Sequence, residues 1–425
     1  MAPGRVLDRL FEAAPEAWDV TIFNAEPRVN YDRIMLSPLL SGEKTFEQIV
    51  IHGDGWYIKH GVTLYKGASV TGIDRAAKTV TSARGITVPY DKLLIATGSL
   101  PIIIPVPGHK LAGVLTYRDL DDVQAMLIAA KSRGSAVVIG GGLLGLEAAA
   151  GLKEQGMDVT VLHLMPTLLE RQLDETAGKL LQKAVEARDI RVMTGANTKA
   201  ILGEKKVEAV LLADGTRLPA DLVVMAVGIK PNAALASDAG LDVGRGIKVS
   251  TAMQTSDPDI YAVGECAEVG GEVFGLVAPL YEMAHVIASQ LAGDPSAAFK
   301  RTALATKLKV TGINLFSAGD FSGGDGCQNL VLHDKLHGIY KRLILKDDRL
   351  VGCVLYGDNS DGGYYFGHIQ SGADVSHLRD GLIFGPAFAP AAELQPAALP
   401  IAAAAAVPPP AQSLRRRQPV GASAS

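Results

Sequence analysis

The chain has 425 residues, room for two or three domains, and 48% of them are hydrophobic against 20% charged, so sizeable cores can form. A net charge of −4 gives no electrostatic reason to bind nucleic acid or an anionic membrane, and no apolar run reaches the ~18 residues of a membrane span. Cys266, Cys327 and Cys353 lack the close spacing of metal ligands or a redox pair. No bound metal is therefore expected, and isolated thiols suit a reducing, cytoplasmic setting.

Taken in chain order, VLDRLFEAA (6–14) reads as a helix and DVTIF (19–23) as a strand. YDKLLIATGS (90–99) is an apolar strand ending in Thr97-Gly98. SAVVIGGG (135–142) is a buried strand running into a glycine turn, and LLGLEAAAGLKEQG (143–156) continues it as a helix closed by Gly156. DVTVLHL (158–164) is the next strand, which completes a βαβ unit. LADGTRLPADLVVMAVGIKPN (212–232) holds an Asp-Gly hairpin and then a strand ending at Gly228. TSDPDIYAVGECAE (255–268) is a strand leading to Gly264-Glu265. Residues 300–385 alternate apolar and polar, with turns at His337-Gly338 and Asp347-Asp348, and read as an antiparallel sheet. From about 389 the chain is Ala/Pro-rich and is expected to be disordered.

The βαβ unit carries chemistry. Gly140, Gly142 and Gly145 occupy the G-x-G-x-x-G positions. The first glycine permits the tight turn, the second lets backbone approach a pyrophosphate, and the third lets helix and strand pack closely with the helix N-terminus facing the anion. Set between a strand and a helix, this is a dinucleotide-binding fingerprint. The acid that usually ends the second strand is replaced by His163. Neutral histidine does not repel the 2′-phosphate of NADP, and the nearest arginine that could clamp it is Arg171, so only a mild preference for NADH is expected.

The strand of this unit is repeated. Asp19-Val20-Thr21-Ile22-Phe23 matches Asp158-Val159-Thr160-Val161-Leu162. Gly4 precedes Asp19 by 15 residues and Gly145 precedes Asp158 by 13, so Gly4 corresponds to the last fingerprint glycine. The expectation is a second dinucleotide unit whose first strand and glycine turn are missing. The competing reading makes residues 1–18 an unrelated N-terminal helix.

Together these motifs resemble the two-dinucleotide-domain flavoproteins that include rubredoxin and ferredoxin reductases. EPRVNYDRIMLSPLLSG (26–42), GGGLLGLEAA (140–149), HLMPTLLERQLD (163–174), VFGLVAPLYEMA (273–284) and KLKVTGINLFSAGD (307–320) are most similar to the flavoprotein part of NAD(P)H-dependent assimilatory nitrite reductase large subunits. The likeness covers about 1–387 and implies an α/β fold with two Rossmann-like domains and a small α+β C-terminal domain. The FAD domain would be split into 1–112 and 251–299 around an NAD(P) domain at 113–250, followed by the C-terminal domain at 300–388 and the tail at 389–425.

The resemblance assigns roles. Glu26 would bind the FAD ribose hydroxyls and Arg33 the diphosphate region. Thr97, Gly98 and Gly264 would line the cofactor, and Glu265 would accept a ribitol hydroxyl. The helix starting near Pro279 would aim its positive end at the flavin pyrimidine. Glu147 would lie near the nicotinamide, against the plain alternative of a solvent-facing helix carboxylate. Gly140, Gly142, Gly145, His163 and Gly228 would form the NAD(P) site.

Three departures stand out. The FAD fingerprint is absent, Pro38 stands where rubredoxin-reductase relatives often have lysine, and the cysteine-ligated segments of longer nitrite reductase subunits do not follow. The expectation is a version of that subunit truncated at both ends. Its FAD would pass electrons from NAD(P)H to an iron–sulfur or sirohaem acceptor outside this chain, in nitrite reduction, and a homodimer is compatible with it. A stand-alone rubredoxin- or ferredoxin-type reductase, and a non-catalytic remnant, are the alternatives.

Overall fold

The computed structural model describes residues 1–301, 305–310 and 312–388. The Ala/Pro-rich tail lies outside the described residues. Helix α1 (Ala2–Ala13) opens the chain and is followed by parallel strands β1 (Thr21–Asn24) and β2 (Thr63–Lys66). An antiparallel meander comes next, β3 (Val70–Asp74), β4 (Thr79–Ser82) and β5 (Thr87–Pro89). Then come β6 (Leu93–Ile95) and the short crossing strand β7 (Ser99–Pro101).

In the second unit, after β8 (Val114–Thr116) come β9 (Ser135–Ile139), α2 (Leu143–Glu154), β10 (Asp158–His163), α3 (Glu175–Glu186) and β11 (Ile190–Thr194). This unit repeats the first unit's order with two further strands, β8 and β9, and the helix α3. A second meander follows, β12 (Thr198–Leu202), β13 (Ala209–Leu212) and β14 (Arg217–Pro219), and then β15 (Leu222–Met225). These give a parallel five-stranded sheet in the order β8-β15-β9-β10-β11. Its centre is β9, whose Ala136, Val137, Val138 and Ile139 are all buried. Burial on both faces is why this strand reads as an unbroken apolar run.

The expected domain boundary at residue 250 needs correction. The chain leaves the second unit at β16 (Ile229–Pro231), which pairs antiparallel with β7. Ala233, Ala236, Leu241 and Ile247 then join the core of the first unit, with Ile260 and Ala262. Strand β17 (Ile247–Val249) pairs there with β19 (Ala267–Val269), and β18 (Ile260–Ala262) runs parallel to β6. An apolar return segment cannot stay on a sheet already covered, so it packs where unburied surface remains. Helix α4 (Val277–Leu291) completes this unit, starting two residues before Pro279.

The third unit is an antiparallel sheet, β20 (Ala305–Val310), β21 (Ile313–Gly319), β22 (Gln328–Asp334), β23 (Ile339–Lys346) and β24 (Arg349–Tyr356), followed by α5 (Gly362–Ser371). Its order is β20-β21-β24-β23-β22. It docks on α3. Asp174, the N-cap of α3, accepts from the Ala177 N–H at 3.1 Å and from the Tyr340 hydroxyl at 2.6 Å. Arg342 Nη1 lies 3.3 Å from the same carboxylate. One side chain thus caps a helix and ties two units together. Asp174→Ala should cost roughly 2–4 kcal/mol, the sum of a lost cap and lost charge-assisted hydrogen bonds. Tyr340→Phe should cost about 1 kcal/mol alone and almost nothing in the Asp174→Ala background. Urea denaturation of the three variants measures both; additive losses would mean the two residues do not interact.

Candidate functional site

The two dinucleotide-type units and the third domain enclose one cleft of about 3580 Å³. A single small-molecule pocket is ~300–1,000 Å³, so this cleft can take more than one large ligand. Lining residues include Glu26, Arg33, Thr97, Gly98, Gly140, Gly142, Glu147, His163, Gly228, Gly264, Glu265 and Pro279. Phe316 and Phe366 of the third domain close one side. Of the residues expected from sequence, only Gly145 is off the cleft wall. It sits beneath the turn, in the first turn of α2, and a Cβ there would meet the Gly140 carbonyl oxygen at 1.8 Å.

The fingerprint turn is built as its residues require. Gly140 has φ +126°, and a Cβ on it would lie 2.2 Å from the Ala226 carbonyl oxygen. A Cβ on Gly142 would meet nothing within 4 Å, so that glycine presents bare backbone to the cleft. Helix α2 begins immediately after it, with its unpaired N–H groups facing the cleft. A turn of this shape fits the pyrophosphate of a dinucleotide.

The second half of the site is a belt of charge. Arg33 donates to Glu26 and, through Nη1, to the Arg118 carbonyl oxygen at 2.9 Å. The Tyr31 hydroxyl donates to Glu26 at 2.8 Å. Arg118 donates to Glu265, which also accepts from the Ser99 hydroxyl at 2.8 Å. Glu26 and Glu265 each keep about 16% of their side-chain surface exposed. Beneath the belt, Arg28 Nη1 is buried with no hydrogen-bond partner among the described residues, 3.7 Å from Glu26. Two carboxylates that accept from hydroxyls, arginines that pair with phosphate, and left-handed glycines at Gly98 (φ +65°) and Gly264 (φ +91°) form a donor and acceptor set that fits FAD. Thr97 turns its hydroxyl to the Asn232 carbonyl at 2.6 Å and Gly98 accepts from the Asn232 N–H at 2.8 Å. These bonds fix the crossing ribbon β7–β16.

Sequence reasoning missed Arg118, Ser99, Ser37 and Glu170. Arg118 follows closely on the short strand β8 and Ser99 opens the short strand β7, and those positions were the available signal. Ser37 donates to Glu147 at 2.6 Å and shares a 2.9 Å hydrogen bond with the Tyr117 hydroxyl. Glu147 is therefore not a solvent-facing helix carboxylate. Burial raises its carboxyl above the usual range, opposed by the Ser37 hydrogen bond.

His163 requires the second correction. Its Nδ1 accepts from the Gly141 N–H at 3.1 Å, so the ring proton is on Nε2, which lies 3.0 Å from Glu170 Oε2. Only 8% of His163 is exposed. Both ring nitrogens are engaged inside the protein, and the acid at the strand end comes from Glu170, seven residues further on. Arg171 stands beside it on the cleft wall, its Nε 3.9 Å from Glu170 Oε1 and 87% of its side chain exposed.

Residues 9–290 match the model of the pyridine nucleotide-disulphide oxidoreductases. The chain belongs to that family. Residues 305–373 match the rubredoxin NAD+ reductase C-terminal domain. The chain is 46% identical over 376 residues to nitrite reductase (NAD(P)H) of Bacillus subtilis, covering 88% of this chain and 47% of that protein. It is 41% identical to the assimilatory nitrate reductase electron transfer subunit of the same organism, covering 90% of this chain and 50% of that one. It spans about half the length of these relatives. The crystal structure of NADH:rubredoxin oxidoreductase from Clostridium acetobutylicum superposes with a TM-score of 0.74 at 26% identity, covering 88% of this chain and 94% of that one. The chain is thus an oxidoreductase of this family, which implies FAD and NAD(P)H as its cofactors. Among the described residues no helix is long and apolar enough to cross a membrane.

The Glu147 carboxyl yields a pH prediction. Its folded-state value is raised, so the folded protein holds this proton more tightly than the unfolded chain does. The associated stability is complete below the unfolded value and is lost as pH rises through the folded one. Wild type should therefore lose stability relative to Glu147→Gln as pH rises above the usual carboxylate range through neutral pH. Thermal melting across that range measures the gap; a constant gap would place Glu147 in water.

Proposed function

We propose that this chain is an FAD-dependent NAD(P)H oxidoreductase module that passes electrons to an iron–sulfur or sirohaem acceptor, as in reduction of nitrite to ammonia. The observation that carries this reading is the single cleft, with the fingerprint turn Gly140–Gly142 on one wall and the Glu26–Arg33–Arg118–Glu265 belt on the other. Residues 113–228 hold the NAD(P) unit. Residues 1–112 and 229–299 form the FAD unit, and 300–388 form the third domain. The likeness to nitrite reductase over most of this chain supports the acceptor class.

A bound flavin supplies hydride acceptance from nicotinamide and release of single electrons. The chain supplies position and charge. Glu26 holds ribose hydroxyls, Arg33 and Arg118 hold the diphosphate region, and Glu265 accepts from the ribitol chain. Thr97, Gly98 and Gly264 let backbone approach the cofactor, and the N-terminus of α4, beside Pro279, favours negative charge at the flavin pyrimidine. Gly140, Gly142 and Gly228 cradle the second dinucleotide. Glu147, fixed by Ser37 and Tyr117, lies on the nicotinamide side. The third domain's match to rubredoxin NAD+ reductase favours a second reading, a stand-alone reductase for a small electron carrier.

The test is direct. The purified chain supplied with FAD and mixed anaerobically with NADH should bleach flavin absorbance, and a sirohaem–iron–sulfur acceptor should restore it. Bleaching that only rubredoxin or ferredoxin reverses would select the second reading. No bleaching with FAD bound would refute both.

Cofactor choice gives a sharper test. Glu170 brings a carboxylate to the strand end, which opposes a 2′-phosphate and accepts from a ribose hydroxyl. Glu170→Gln should lower the NAD+-over-NADP+ preference roughly 10- to 150-fold, the ~1.5–3 kcal/mol of a charged hydrogen bond. Calorimetric Kd values for NAD+ and NADP+ on both proteins decide it. An unchanged ratio would remove Glu170 from the ribose site.

A further inference from the structure

Three side chains from distant segments meet at the seam between the two walls of the cleft. Ser37 lies on the short helix Leu36–Ser41 of the first unit, Tyr117 follows β8, and Glu147 lies in the second turn of α2. Ser37 Oγ donates to Glu147 Oε2 at 2.6 Å and lies 2.9 Å from the Tyr117 hydroxyl. Tyr117 directly precedes Arg118 of the charged belt, and Glu147 follows closely on Gly142 of the fingerprint turn. Glu147 and Tyr117 both line the cleft. The cluster thus sits where the belt wall meets the fingerprint wall.

Nothing cationic pins this carboxyl. Among the described residues no lysine, arginine or histidine pairs with Glu147, and Pro38, beside Ser37, brings no charge. Tyr117 is the titratable group that faces the cluster, and burial pushes its phenol well above the ordinary value, so it stays a hydroxyl. Tyr117 can donate to Ser37 while Ser37 donates to Oε2. Oε1 is left free of the chain's described groups, on a residue that lines the cleft. Burial holds the carboxyl above its usual range, opposed by the Ser37 hydrogen bond. Such a group exchanges protons closer to neutral pH than a carboxylate pinned by a cation does.

Resting on the reading of this cleft as a flavin–nicotinamide site, we propose that Glu147 is the catalytic base that takes the proton left over when a hydride is divided into single electrons. A hydride carries two electrons and one proton. Single-electron acceptors take the electrons and leave the proton, so NAD(P)H and two oxidised acceptors give NAD(P)+, two reduced acceptors and one H+. That proton must break from the nitrogen of the bound cofactor that received the hydride, and it forms an O–H bond on Glu147 Oε1. Ser37 and Tyr117 are positioning residues: they hold Oε2 and leave Oε1 to the cleft. Loss of the proton to water in the cleft restores the carboxylate.

Each half of the cycle can be read alone. The chain supplied with FAD is bleached anaerobically by NADH, then reoxidised in stopped flow by ferricyanide, which takes electrons and no proton. Wild-type reoxidation should speed up as pH rises and Glu147 ionises. Glu147→Gln should slow reoxidation at least ~100-fold more than it slows bleaching, the scale of a lost general base, and should flatten the pH profile. Glu147→Asp should recover part of that difference. Ser37→Ala keeps the carboxyl but removes a donor to its ionised form, so the reoxidation profile should move to higher pH. A second readout needs no cofactor. With isotope-labelled glutamate δ-carboxyls, the NMR resonance missing from Glu147→Gln should titrate above the ordinary carboxylate range, and higher still in Ser37→Ala. Titration of that resonance in the ordinary range, equal slowing of both half-reactions in Glu147→Gln, or an unmoved profile in Ser37→Ala would overturn the proposal. Absence of bleaching in wild type would instead sink the flavin–nicotinamide reading, and this proposal with it.

Discussion

A Cβ on Gly145 would lie 1.8 Å from the carbonyl oxygen of Gly140, so α2 can rise from its turn only through glycine. The rest of the site depends on that approach. It brings the first turn of the helix, with its unpaired N–H groups, to the cleft wall. It also leaves the Gly141 N–H free of the helix ladder, and that N–H is taken up by His163 Nδ1. The hydrogen bond selects the histidine tautomer, and the tautomer aims an N–H at Glu170. A backbone constraint is thereby passed through one imidazole to a carboxylate on the cleft wall.

The belt on the opposite wall works by joining segments far apart in the chain. Glu26 comes from just beyond β1 and Glu265 from the first unit's return segment. Arg118 comes from the second unit, just after β8. Since Arg33 donates to the Arg118 backbone and Arg118 donates to Glu265, the second unit is tied to both halves of the split unit. The antiparallel ribbon β7–β16 carries the chain out and back side by side. Few covalent crossings and a shared ribbon keep the two walls of the cleft in register while leaving the space between them open.

Much of this was legible in the residues. Strands buried on both faces are continuous apolar runs, so SAVVI and LVVM could be read directly, and the repeat DVTIF/DVTVL exposed the duplicated unit. Glu26, Glu265 and the fingerprint glycines follow strand ends, where the polypeptide pattern breaks visibly. The illegible part lay in contacts between segments distant in sequence. Ser37 meets Glu147 across 110 positions and Arg118 meets Glu265 across 147, and no local pattern announces either. The domain boundary was misplaced for a related reason: 229–250 has no strong period, and its location is decided by which sheet still has apolar surface to cover. The partner of His163 was equally out of reach, because it is set by a loop seven residues on.

Comparison of the two units isolates what one central strand contributes. The helix, the second and third strands, the meander and the closing strand are present in both. Where β9 is in place, its neighbours bury fully, and each such Val, Leu or Ile gains ~1.5–3 kcal/mol from leaving water. Where no strand separates β1 from β6, the counterparts Ile22, Phe23, Leu93 and Leu94 keep part of that surface exposed and realise only part of the gain. Helix α1 compensates by bridging both half-sheets with one stripe on each core. It can supply apolar contact but no ladder, because a helix spends its own N–H and C=O groups internally. The Glu26–Arg33–Arg118 contacts, anchored on the second unit through Arg118, tie the two walls of the cleft together.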